Sequence, residues 1–336
     1  MSVLAGAFAT QAQACAALGS PFMARLCAIL PDLLEDTELE ARLSNWPGDP
    51  GPSGHSLPLR LAGALHALQL GGDAGLGAIY PPSAPDDAAF SAGIAQALET
   101  HATAINEFID RPPQTNEVRR AAFIIAAASV VADRFGLPLR LFELGASAGL
   151  NLNFDRFALS TNHWTRGAGD PVLTLTPDWT GVPLPDVPFT VAERRGVDLT
   201  PLDPVTDRRR LLAYLWPDQP ERMTLTRAAL ALPPAPVDAG DAGDWLPARL
   251  PPTPGQTQLI YHTIAWQYFP APVQARLRDA IETAGKSAMP DTPLALASME
   301  ADGGDGAALS LRLWPGDETL HLGRADFHGR WIRWHA

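Results

Sequence analysis

The sequence predicts an α/β protein: a mostly parallel sheet covered by helices on both faces, with an all-helical segment ahead of it. Three observations predict this. No alternating strand pattern occurs before residue 137. From Leu139 onward, short apolar runs alternate with helical ones. Near the C-terminus, runs at 308–314 and 318–324 flank Pro315-Gly316-Asp317 as the arms of a hairpin would, adding antiparallel strands.

In the helical part, Phe22, Leu26, Ile29 and Leu30 share one helical face, followed by an acidic stretch at 32–40. The turn-rich run Trp46-Pro47-Gly48-Asp49-Pro50-Gly51-Pro52 ends that helical hairpin. Ser56 is the expected cap of a helix that points Leu57, Leu61, Leu65 and Leu68 inward and stops at Gly71-Gly72. A further helix is expected over 85–109, closed by Pro112-Pro113. Another spans 116–135 and ends at Gly136-Leu137-Pro138. A buried strand at 139–144 then leads into the small-residue turn Gly145-Ala146-Ser147-Ala148-Gly149, with a helix expected through 157. Strands follow near 172–176, 189–197, 237–239, 258–264 and 294–299, and a last run at 330–334 extends the terminal hairpin. Helices at 207–215, 221–232 and 272–284 alternate with them. The expected domains are 1–111, a helical cap, and 112–336, a Rossmann-like cofactor-binding domain with an insertion at about 160–188, read as a β-hairpin.

Composition narrows the functions. With 37 acidic against 25 basic residues the net charge is −12, which argues against a nucleic-acid surface built on clustered Lys and Arg. Arg208-Arg209-Arg210 reads as a solvated helix start. Cys15 and Cys27, the only cysteines, form neither a disulfide framework nor a metal pair and read as buried thiols in a reducing compartment. The longest apolar stretch, 121–132, is about 12 residues where a span needs about 20, and no signal peptide is visible; a cytoplasmic protein is expected, with no membrane partner. His55, His66, His101 and His163 lack metal spacing, so no metal is expected.

The turn at 145–149 admits two chemistries. As G-x-S-x-G it is a nucleophile elbow, with Ser147 attacking an acyl carbon and Asp302 or Asp326 with His328 completing a triad. As E-x-G-x-x-x-G it is the loop of a nucleotide-type cofactor fold, with Glu143 ending the strand and Gly145, Ala146, Ser147, Gly149 and Asn151 around the ligand. An elbow follows several strands of its own sheet, whereas the region before residue 137 is helical. No G-x-G-x-x-G is present for a dinucleotide pyrophosphate. A ligand with a carboxylate, an amine and a sulfonium fits: S-adenosylmethionine, or S-adenosylhomocysteine after transfer.

Further parts belong at the carboxyl ends of later strands. Asp198 ends the next long strand and suits the ribose hydroxyls. Gly240-Asp241-Ala242 follows a short strand; Asp241 suits an adenine amino group and Ala242 the ring, with Asp238 and Asp244 as competing acids. His262 ends the 258–264 strand, facing the group to be transferred, and Glu300 ends the one after. Trp266 and Tyr268 suit a pocket wall, or equally a core.

These residues resemble a family. Gln114-Thr115-Asn116-Glu117-Val118, Glu143 to Leu152, Asp198-Leu199-Thr200-Pro201, Trp216-Pro217-Asp218-Gln219 with Arg222, Tyr261-His262, Trp314-Pro315-Gly316 and His328-Gly329 are similar to the hallmark segments of the bacterial domain of unknown function 2332, as is Leu65-His66-Ala67-Leu68. The resemblance implies a class I S-adenosylmethionine-dependent methyltransferase-like fold and supplies no known reaction. It also points to Gln114, Asn116, Glu117 and Arg119 as a substrate rim. The expected function is methyl transfer to an unidentified small molecule under the helical cap, with His262 as base and Glu300 second. A Ser147 hydrolase and a non-catalytic nucleoside-binding scaffold are the alternatives.

Overall fold

A computed structural model describes residues 2–52 and 54–335 and divides into two compact units, Met1–Thr115 with Val205–Thr224, and Asn116–Pro204 with Leu225–Ala336. The first is helical. Its helices Val3–Ala17, Pro21–Leu34, Glu38–Ser44, Ala74–Ile79 and Asp87–Thr100 are each capped by the side chain before them (Ser2, Ser20, Thr37, Asp73 and Asp86), which accepts a backbone N–H of the first turn. The helix Leu57–Leu70 is buried on nearly all sides and forms the centre of the unit, with Leu57, Leu61 and Leu65 fully enclosed. Ser56 does not cap it: its backbone is left-handed, at φ 50°, and its side chain makes no cap bond. The helix expected over 85–109 breaks at His101, which leaves helical geometry while its imidazole bonds Asp73 at 2.8 Å, and resumes as Ala102–Ile109.

The second unit holds the strands: β1 (Leu139–Leu144), β2 (Phe157–Ser160), β3 (Thr165–Gly167), β4 (Leu173–Leu175), β5 (Asp178–Gly181), β6 (Val191–Asp198), β7 (Val237–Ala239), β8 (Thr257–Thr263), β9 (Leu294–Ala301), β10 (Ala307–Trp314), β11 (Glu318–Ala325) and β12 (Trp331–Trp334). Nine form one mostly parallel sheet in the order β5-β12-β11-β10-β9-β8-β1-β6-β7. The β7-β6-β1-β8-β9 part is parallel throughout, and β9 to β12 continue as an antiparallel meander, in which the expected hairpin and its extending strand also pair with β9. Strand alternation aims Phe142, Leu144 and Ile260 at one core, closed by Trp245 and by Val273, Leu277 and Ile281 of the helix Ala271–Lys286. Leu141, Glu143 and Tyr261 point to the opposite face.

In this unit two local expectations fail. The 160–188 insertion is not a hairpin. It contributes to a separate three-stranded sheet, β3-β2-β4, and then sends β5 to pair with β12 at the far edge of the large sheet. The turn at 145–149 runs into a 3₁₀ helix, Leu150–Arg156, where an α-helix was expected; Asn151, Asn153 and Asp155 are weak helix formers. Among the described residues no helix is long and apolar enough to cross a membrane.

From β1 the chain crosses to β6 and β7 on one side, and from β8 it proceeds to β9 on the other. Strand order therefore reverses between β1 and β8. In open α/β sheets the crevice beyond the carboxyl ends at such a reversal is where ligands bind.

Candidate functional site

The loop after β1 is held in place mainly through its own N–H groups. Those of Gly145 and Ala146 both reach the Val197 carbonyl, at 2.9 and 3.0 Å, and that of Ser147 reaches Asp198 Oδ2 at 2.9 Å. Gly149 N–H donates to the Ala146 carbonyl and Leu150 N–H to Asn116 Oδ1. A cradle for phosphate or an oxyanion needs such donors turned outward. Here five of them serve the protein itself. The loop is tight for steric reasons too. A Cβ on Gly145 would lie 2.7 Å from Ala265 Cβ, and one on Gly149 would lie 2.7 Å from Val237. Both glycines are left-handed, and so is Ser147, at φ 53°.

What the loop leaves open are side-chain atoms. Ser147 Oγ and Asn151 Oδ1 are buried without a hydrogen-bond partner. Asn151 Nδ2 donates to the Glu117 carbonyl at 3.2 Å, which fixes the amide and leaves its oxygen as an unmet acceptor. Among the described residues no imidazole bonds Ser147 Oγ, so beyond the G-x-S-x-G pattern its left-handed backbone is what it shares with an elbow. The triad acids of that alternative are engaged by arginines: Asp302 by Arg324 at 2.7 Å and Asp326 by Arg330 at 2.7 Å. Beneath the loop, Glu143 lies beside Tyr261, whose hydroxyl donates to Glu143 Oε2 at 3.4 Å. Burial pushes the Glu143 carboxyl well above the usual carboxylate range, and the Tyr261 bond only partly opposes this. Burial likewise raises the Tyr261 phenol.

The acids beyond β6 and β7 have separate tasks. Asp198 accepts from Ser147 N–H and from Thr200 N–H, so it hooks the loop to the end of β6. Asp241 caps the short helix Ala242–Trp245 and meets Arg276 at 2.9 Å; Ala242 is buried. Asp238 is a structural hub, held by two Arg195 nitrogens and by Arg249 and the Trp245 indole. The Arg195 pairing holds its carboxyl well below the usual range, against the effect of burial. Asp244 is exposed and meets Arg276 at 3.3 Å.

At the end of β8 the geometry is different. His262 is 4% exposed, and its Nδ1 lies 2.7 Å from Glu300 Oε1. The same oxygen accepts the N–H groups of Ala265 and Trp266, at 3.0 and 3.1 Å. Glu300 Oε2 is buried with no partner. The Trp266 indole stacks on the imidazole, with centroids 4.9 Å apart and planes 28° from parallel. Between them Ile264 is left-handed, at φ 51°, a conformation that costs a β-branched residue roughly 1–3 kcal/mol. Its N–H donates to Met299 of β9, while Arg120 reaches the Thr263 carbonyl from the helix start.

The β1 loop and the β8 turn meet at Gly145 and Ala265, so Ser147, Asn151, His262 and Glu300 belong to the carboxyl end of the parallel strands. Asn116 and Glu117 are tied to the β1 loop: Asn116 takes Leu150 N–H and the Glu117 carbonyl takes Asn151 Nδ2, while the Glu117 side chain caps the 3₁₀ turn Val118–Arg120 and meets Arg119 at 3.3 Å. Gln114 belongs to the helical unit. Tyr268 is 74% exposed. Among the described residues no cluster of three metal-ligating side chains occurs. Sequence reasoning missed Ile264 and Arg120, which carry no motif, and the Glu143–Tyr261 pair, which only strand register brings together.

A family model described as an uncharacterized protein conserved in bacteria (DUF2332) matches residues 5–334, and the chain belongs to that family. A search of curated proteins found no match.

Proposed function

We propose that this DUF2332 member binds S-adenosylmethionine in the crevice between β1 and β8 and transfers its methyl group to a small molecule. The Rossmann-like, class I methyltransferase reading of the sheet is part of this proposal, supported by the reversal of strand order at that crevice.

One observation carries the reading: five N–H donors of the loop, those of Gly145, Ala146, Ser147, Gly149 and Leu150, serve the protein, while Asn151 Oδ1 is left as a buried, unmet acceptor, with Ser147 Oγ unpartnered four residues before it. A buried acceptor of this kind is satisfied by a ligand that brings N–H or O–H groups. This acceptor therefore fits the ammonium end of an amino acid and does not fit a phosphate or an acyl oxyanion. When bound, the cofactor supplies an electrophilic methyl carbon on a sulfonium. In this proposal Glu143 and Gly145 to Gly149 shape the floor, Asp198 serves the ribose, Asp241 and Ala242 serve the adenine, and Trp266 walls the acceptor side. His262 takes a proton where the acceptor must lose one.

Calorimetric titration of the full chain with S-adenosylhomocysteine tests this. Saturable binding that Asp198→Ala weakens supports it. No heat at millimolar ligand, with protein shown to be folded, overturns it and directs the next experiment to an acyl-serine probe on Ser147.

A further inference from the structure

We infer that Glu300 is a positioning residue that locks the His262 imidazole in its Nδ1–H form, leaving Nε2 as the general base for an acceptor that must lose a proton. The inference rests on the proposed transfer for its reaction but on the β8 turn alone for its geometry.

Glu300 Oε1 receives three contacts, from Ala265 N–H, Trp266 N–H and His262 Nδ1. The two backbone groups can only donate, so Oε1 is an acceptor to both. The hydrogen between Oε1 and Nδ1 therefore sits on nitrogen, and in a neutral ring this leaves the lone pair on Nε2. Glu300 thus cannot use that oxygen as a base, and it orients the ring in the way a third group orients the base of a catalytic triad. Trp266 stacking fixes the ring plane. The left-handed Ile264 is what turns Ala265 N–H and Trp266 N–H onto one oxygen, which gives the strain at that residue a purpose.

The arrangement defines an acceptor class. The nucleophile carries an O–H or a ring N–H. That bond breaks, its proton passes to Nε2, and its electron pair remains on the oxygen or nitrogen. In the proposed transfer this pair forms the bond to the methyl carbon as the carbon–sulfur bond breaks, its electron pair going to sulfur and S-adenosylhomocysteine leaving as a neutral thioether. The resulting imidazolium keeps its Nδ1–H on Glu300. Glu300 Oε2, buried and unpartnered, is a further acceptor, so the fitting substrate bears a second N–H or O–H donor. A thioether or tertiary amine gains nothing from this site.

The test is nitrogen NMR on the full chain labelled at histidine, without ligand, with the His262 signals assigned through His262→Asn. The expected spectrum has a protonated Nδ1 and an unprotonated Nε2; the opposite tautomer in the wild type overturns the inference. Glu300→Ala is expected to release the ring toward the Nε2–H form that free histidine prefers, and an unchanged tautomer in a folded Glu300→Ala overturns the role of Glu300. If that variant does not fold, the wild-type spectrum decides alone. The measurement needs no cofactor: failure of S-adenosylhomocysteine to bind discards the transfer reading, while the tautomer tests the dyad.

Discussion

The loop after β1 and the turn after β8 are neighbours at the carboxyl end of two central strands, and each contains a left-handed residue that is not glycine, Ser147 in the first and Ile264 in the second. They spend their polar groups in opposite ways. The first gives its backbone donors to fixed protein acceptors and leaves side-chain atoms unmet. The second collects backbone donors on a single carboxylate oxygen and uses that oxygen to aim an imidazole. The difference suits a division of labour, one segment holding a ligand and the other handling a proton. It also shows that a glycine-rich strand-to-helix turn need not offer its N–H groups to a ligand.

The largest expected effect separates the two segments. His262→Asn should lower transfer about 10²–10⁴-fold, the range of general-base catalysis, while leaving S-adenosylhomocysteine affinity within about twofold. Equal losses in both would show that the segments do not divide the work. Next is Gly145→Ala, which adds a methyl 2.7 Å from Ala265 Cβ at a left-handed position. It should destabilise the chain by roughly 2–4 kcal/mol in denaturant titration; an unchanged midpoint would mean the two segments are not packed as described.

A smaller effect is expected beneath the loop. Burial raises the Glu143 carboxyl above its ordinary value of 4.5, so the folded state holds a proton that the unfolded chain releases as pH rises past that value. Stability associated with Glu143 is therefore full below the ordinary value and is lost as pH climbs toward the raised one. Glu143→Gln has no such proton, so it should gain on the wild type as pH rises from 4 to 8 and match it most closely at the acid end. A gap that widens toward low pH would give the opposite sign. The smallest effect is at Ile264. Replacing it with glycine removes the left-handed strain and keeps the N–H bond to Met299, so stability should rise by about 1 kcal/mol or less while the His262 ring loosens. A clear loss of stability would show that Ile264 packing outweighs its strain.

How far this end of the sheet could be read from the sequence follows from the same physics. Strands β1 and β6 to β12 were legible because apolar runs bounded by Gly and Pro mark buried strands. Strands β3 and β5 were not, since Thr165-Arg166-Gly167 and Asp178-Trp179-Thr180-Gly181 are mostly polar and offer no apolar run, and β2 follows directly on the segment expected to be helical through 157. The carboxylates beyond β6 and β7 could be located but not sorted. Asp238 became a hub because Arg195 and Arg249 converge on it in space, and Asp241 a cap with an Arg276 partner. His262 and Glu300 were each placed at a strand end, but nothing in a spacing of 38 residues announces their contact. Parallel pairing of β8 with β9 in register supplies it. Left-handed Ile264 had no signal at all, because isoleucine is a residue such a position disfavours.

The most direct test of the central claim, that the β1 loop is an acceptor site for a nucleoside bearing an ammonium group, compares two ligands by calorimetry on the full chain. S-adenosylhomocysteine carries the amino-acid end; 5′-deoxy-5′-methylthioadenosine lacks it. The account predicts saturable binding of the first, at least tenfold tighter than the second, with the difference, about 1.4 kcal/mol or more, reduced by Asn151→Leu. Equal affinity for both ligands, or none for either, would contradict it.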